Sequence, residues 1–294
     1  MRFVHLLRAE VSRLQYRPRV VVGLVSVLLL GLIGPALWMS NARPYTDQEV
    51  TEAVQAFEED LPRCPECTLE QYLPDVWGLN EVVHIGVAPW LLLVAVFVLI
   101  LVLVYAGADF QSGAITTQLT FTPARLKLLS ARTLVAGLLG AVLMAVAGIA
   151  SGTVSVVWFV ALRGYADLAP GSGLLGALIG AVVLGMVVGM VAALAVFLFH
   201  SGAVAGAVVA VVLLASLLVE VLGWDGAPHW VFHATPTRHA ESLVVGLAER
   251  GYEQYPLVRG ETLSRTESLT YFLVLIAISA ALAAVTFRRR DVKN

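Results

Sequence analysis

The stretch Ile85–Ala108, IGVAPWLLLVAVFVLILVLVYAGA, has no acidic or basic residue from end to end. A helix needs about 20 residues to cross the roughly 30 Å hydrocarbon core of a bilayer, and this stretch is long enough. Five more runs share its character: Val20–Met39, Leu134–Leu162, Leu174–Phe199, Gly202–Trp224 and Leu269–Phe287. Apart from edge residues, Glu220 is the one acidic or basic residue inside a run. Backbone groups in lipid must bond within their own segment, so each run is expected to be a helix. A membrane barrel would show short segments of alternating polarity instead, and none is present. The sequence thus predicts an all-α integral membrane protein, a single domain over residues 1–294 with six transmembrane helices.

Composition agrees. Of 294 residues, 59% are hydrophobic and only 14% are charged, against about 25% charged in soluble domains. The mean hydropathy is +0.83. A soluble exterior has no place for so much apolar surface. Disorder needs low hydrophobicity and high net charge. The formal net charge of −2 gives no basic surface for nucleic acid.

Lys and Arg set the orientation. The segments 1–19, 109–133, 200–201 and 288–294 hold 12 of these residues. The alternate segments 40–84, 163–173 and 225–268 hold 7, over about twice the length. The positive-inside rule then puts both termini in the cytoplasm, as in a multi-pass plasma-membrane protein. Ser40-Asn41-Ala42 loosely resembles a signal cleavage site. The apolar run before it is longer than the roughly 7–15 residues of a signal peptide, so a retained first span is expected.

Residues 3–16 read as an amphipathic interfacial helix with Phe3, Leu7, Val11 and Leu14 on one stripe, arginines facing lipid phosphates, and Pro18 as the stop. The outer loop 40–84 carries ten acidic residues. It opens with capping-box spacing at Thr46 and Glu49, then a helical stripe of Val50, Val54, Phe57 and Leu61 ended by Pro62. Cys64 and Cys67 are the only cysteines. On an outer face they read first as a local disulfide. A redox pair would want a βαβ context, and a metal site would need two more ligands, with His84 the nearest candidate. In the outer loop 225–268, His229 and His233 are four apart and could begin a zinc or copper site. The alternative is an outer hairpin with His and Trp230 at the interface. Residues 239–250 read as a short surface helix.

The loop 109–133, DFQSGAITTQLTFTPARLKLLSART, is too long for a simple turn. Gly113 is expected to break it, leaving a short helix on either side. Thr122-Pro123 reads as an N-cap followed by proline at the first helical position. Arg125, Lys127 and Arg132 are then expected to be exposed before the third span begins.

This pattern resembles the permease subunit of a bacterial type-2 ABC exporter. Asp109, Gly113, Leu119, Pro123, Arg125 and Arg132 stand where that family carries an acid, a glycine and a Leu-x-x-x-Pro-x-Arg stretch with a following base. Asp109 replaces the usual Glu and Ala124 a frequent Ser. The ending Phe287–Val292 is also similar. The resemblance implies a translocation path formed by two permease copies. It implies a coupling loop, with Asp109, Gly113, Pro123, Arg125 and Lys127, seated on a separate ATP-binding subunit. The turn His200–Gly202 would make a second contact. ATP and Mg would bind that partner, and no cofactor this chain. The chain lacks a P-loop: its only lysines, Lys127 and Lys293, follow Leu126 and Val292 rather than glycine. Membrane lipid is the other expected partner, and amphipathic drugs, peptides or lipids the expected substrates.

Other classes fit less well. An intramembrane zinc protease needs His-Glu-x-x-His, which is absent. The span serines Ser151, Ser155, Ser216 and Ser279 have no histidine at similar depth. An ion-coupled transporter usually shows repeated halves and charged, broken spans. A sensor or immunity protein without transport is a further alternative. Glu220, near the outer end of its span, is a candidate functional acid because a charge in lipid is costly. Glycine pairs such as Gly185/Gly189 and Gly202/Gly206 permit close helix packing.

Overall fold

The computed structural model describes residues 3–74, 76–121, 124–165, 173–222, 230, 233–246 and 263–289. Among them there is no strand. The helices are α1 (Phe3–Gln15), α2 (Pro18–Ile33), α3 (Asp47–Asp60), α4 (Ala88–Gln111), α5 (Ala114–Phe121), α6 (Arg125–Arg163), α7 (Leu174–Phe199), α8 (Gly202–Leu222), α9 (Pro236–Val245) and α10 (Arg265–Arg289). Six helices are long and apolar enough to cross a membrane: α2, α4 with its preceding turns, α6, α7, α8 and α10.

Several boundaries depart from the sequence reading, each for a local reason. Pro18 does not merely stop α1; it stands in the first turn of α2. A proline suits that place because its missing N–H would have no partner there. Helix α2 stops at Ile33 and runs on as a 3-10 turn, Gly34–Leu37, because Pro35 has no N–H to continue the ladder. The second span begins before Ile85, through a π-helical turn at Val82–Val87. Helix α6 starts at Arg125 with Ala124 as an N-cap that makes no side-chain bond. The expected Thr122 cap and Pro123 lie outside the described residues. Helix α9 ends at Gly246 with φ +64, so the surface helix starts and ends earlier than 239–250.

Helices α6 and α7 form the centre and pack on each other more extensively than any other pair. Glycines make this approach. A Cβ on Gly140 would run into the carbonyl oxygen of Gly185, and one on Gly189 into that of Ala136. Without a hydrophobic drive between helices in lipid, such close backbone contact supplies the packing. Helix α4 lies against both, and Gly107 meets Gly202 at the start of α8. Of the expected pairs, Gly202/Gly206 is used by one member only, since Gly206 has nothing near it.

The outer rows of α2, α8 and α10 are apolar and exposed, including Val21, Val25, Val211, Leu214, Leu273 and Ile278. In water such a surface would be a large exposed patch; in lipid it is the solvated face. At the end of α2, Trp90 Nε1 donates to Leu30 O at 3.2 Å. At the end of α6, Arg163 donates to Ala42 O and Arg43 O, each at 3.1 Å. The Trp90 bond joins α2 to α4, and the Arg163 bonds tie the start of the segment 40–84 to the bundle.

A direct test uses the glycines. Gly140→Ala should destabilise the protein by about 1–3 kcal/mol through overpacking. Gly206→Ala, in open space, should be neutral or slightly stabilising, because alanine is the better helix former by up to about 1 kcal/mol. Thermal unfolding in detergent separates the two; equal midpoints would refute the packing assignment.

Candidate functional site

The densest polar group in the bundle lies at the end where α1, α4, α5 and α6 meet. Asp109 sits two residues before the end of α4 and is 3% exposed. After Gln111 the chain turns at Gly113, whose φ of +67 is a conformation that favours glycine. Helix α5 follows, held down by buried Ile115. Helix α1 buries Leu6, Glu10 and Leu14 on one side.

Three arginines converge on Asp109. Arg132 Nη1 donates to Oδ2 at 2.8 Å, Arg13 Nη2 donates to Oδ1 at 3.0 Å, and Arg17 donates to the same Oδ1. Glu10, also 3% exposed, lies 3.6 Å from Arg132 Nε and 3.7 Å from Arg13 Nη1. Gln118 joins the two parts: its Oε1 accepts from Arg132 Nη2 at 2.6 Å, and its Nε2 donates to Glu10 Oε1. The Arg17 guanidinium stacks 4.9 Å above the Tyr105 ring centroid, a cation–π contact. A cavity of about 20 Å³ beside Glu10, Tyr105, Asp109 and Arg132 is large enough for one water molecule.

Burying a carboxylate costs several kcal/mol unless it is paired and bonded. Here Asp109 receives three charge-assisted bonds, the strong kind. The arrangement fixes four helices to one another; it leaves no open coordination place or free nucleophile at Asp109.

The residues expected in the coupling loop fall into three groups. Asp109 and Arg132 are buried in the network, contrary to the expected exposure of Arg132. Of the arginines expected to face lipid, Arg13 turns inward to Asp109, and Arg17 just after that helix does the same, because a buried acid outcompetes a solvated phosphate for them. Arg125 reaches the last span, where Nη1 donates to Phe287 O at 3.1 Å and Arg288 O at 3.5 Å. A cation at a helix C-terminus also favours the helix dipole. Lys127 alone of the expected cations is exposed; Thr117, Thr120 and Ala124 are exposed as well. Pro123 lies outside the described residues. His200 has φ 56 and packs among Phe110 and Phe287.

At the opposite end, α3 begins with the capping box of Thr46 and Glu49. The Arg43 guanidinium, followed by the Thr46 backbone, holds Glu49 down to about 2. Cys64 and Cys67 are joined in a disulfide. The turn hangs on α3, with Cys64 N donating to Asp60 O at 2.9 Å and Tyr72 Oη to Asp60 Oδ2 at 3.2 Å. His229 lies outside the described residues. The carbonyl of His233 accepts from His239 Nε2 at 2.8 Å. His239 Nδ1 is then the acceptor for Ser268 Oγ at 3.2 Å, and the ring stacks on Tyr271. No cluster of three metal-ligating side chains occurs among the described residues. Glu220 falls within α8, and its side chain is outside the described residues.

Sequence reasoning passed over Glu10 and Gln118. Glu10 had a signal: it is the only acid before Asp47, set among the apolar residues of α1. Gln118 had none. A scan against protein-family models and searches of curated proteins and solved structures give no match to this chain.

Two outcomes are expected. Asp109→Ala leaves Glu10 as the one acid for three guanidinium groups and should cost about 3–5 kcal/mol, read as a fall in the unfolding midpoint; an unchanged midpoint would refute the pairing. Desolvation holds His239 below the ordinary histidine value. The unfolded chain therefore takes up this proton first, so stability is full above about pH 6.5 and falls as pH drops through that value. The midpoint should drop from about pH 7.5 to about pH 5.5, less steeply in His239→Gln; equal slopes in both proteins would contradict this.

Proposed function

We infer that this chain is the membrane subunit of an ATP-driven exporter of the type-2 ABC class, working with a separate ATP-binding subunit. In this reading it is a multi-pass plasma-membrane protein with both termini cytoplasmic, and two permease copies form the path. Amphipathic drugs, peptides or lipids suit its small and apolar span residues. What carries the reading is the loop 109–125. Within it, helix α5 is bonded through Gln118 to both α1 and α6. A partner pressing on α5 would act on several helices together, which is what coupling to a motor requires.

In this reading the docking face draws on the exposed residues Thr117, Thr120, Ala124 and Lys127. Asp109 and Arg125 act from behind it, as fasteners. The chain's own lysines sit in no P-loop, so in this reading hydrolysis belongs to the partner.

Gentle affinity purification of the tagged protein from its native membrane tests the proposal. A stoichiometric Walker-motif ATPase should come with it, and Lys127→Glu should reduce its recovery several-fold at unchanged membrane level. Purification of the chain alone in several mild detergents would sink the exporter reading. Full recovery of the ATPase with Lys127→Glu would remove the docking face.

A further inference from the structure

Gln118 bonds two other helices at once, Arg132 on α6 through its oxygen and Glu10 on α1 through its nitrogen. The rest of the inward side of α5 is apolar, with Ile115 buried and Leu119 packed against the cluster of Leu129, Phe197 and Phe287. Apolar contacts can slide, whereas hydrogen bonds weaken steeply once misaligned. The amide is also locked in one sense. The guanidinium offers only donors and the ionised carboxylate only acceptors, so turning the amide over breaks both bonds. If α5 shifts, Glu10 must follow or give up the bond from Gln118 and keep only the longer ion pairs at 3.6 and 3.7 Å, which is costly for a buried acceptor. Helix α1 meets α2 directly at Arg17 and Pro18, so a shift of α1 reaches the first span.

We propose that Gln118 is a positioning residue that carries displacement of α5 into α1, making the N-terminal helix move with the docking loop. What displaces α5 rests on the exporter reading; the link between the helices does not.

Hydrogen exchange on the full-length protein in lipid nanodiscs tests it, reading the amides of α1 and α5. Gln118→Glu keeps an acceptor for Arg132 but sets two carboxylates against each other at Glu10. Exchange in α1 should quicken about tenfold, within the range of coupling between contacting residues. The double variant Glu10→Gln/Gln118→Glu keeps the charge and re-forms both bonds in reversed order, so α1 should return to within about twofold of wild type. Should Gln118→Glu not fold, Gln118→Leu reads the same loss. Unaltered α1 exchange in the single variant, or equal acceleration in the double, overturns the link.

A second arm adds the co-purified ATPase. ATP should change α1 protection in wild type and in the double variant but not in Gln118→Leu; an undiminished response in Gln118→Leu overturns the transmission. If no ATPase accompanies the chain, the exporter reading falls, and the first arm alone decides whether Gln118 joins α5 to α1.

Discussion

A carboxylate buried among helix ends cannot be left alone, and Asp109 organises this end of the protein accordingly. Its two oxygens take bonds from three guanidinium groups, two from the N-terminal segment and one from the central helix α6. Removing Asp109 would leave three guanidinium groups with Glu10 as their one acid in a poorly solvated place. The network therefore fixes where α1 lies, how α5 folds back after Gly113, and how α6 passes Asp109. Glu10 and Gln118 complete it by satisfying Arg132 from a second direction.

A different physical principle governs the middle of the bundle. There the contacts between α6 and α7 are backbone against backbone, at Gly140, Gly185 and Gly189. Such contacts are rigid, because no side chain can give way. The peripheral helices α2, α8 and α10 have exposed apolar rows and fewer buried residues.

The two ends of the bundle are built in opposite ways. The Asp109 end uses long-range ion pairs. The opposite end uses local devices, a capping box on α3 and a disulfide between residues three apart, together with longer-range contacts such as His239 bonded to Ser268 and stacked on Tyr271. The Arg163 bonds to Ala42 and Arg43 add a further long-range tie there. Arg125 does the equivalent for the last span, so both terminal helices are bonded to the segment 118–125.

Periodicity and composition determined the six long apolar helices, the helix α3 between the first two of them with its cap, and the break at Gly113. These depend on residues within a turn or two of each other, so the information lies in adjacent letters. Boundaries at Pro18, Pro35 and Arg125 shifted by a few residues, because helix ends are settled by which carbonyls and N–H groups find partners. Only the tertiary structure decided that Arg13, Arg17 and Arg132 turn inward. Asp109 is separated by 96 and 92 residues from the first two, and no local pattern records a pairing over that distance. An arginine that faces lipid phosphate and one that neutralises a buried acid look the same in sequence. What distinguishes them is the desolvated carboxylate that folding brings beside them.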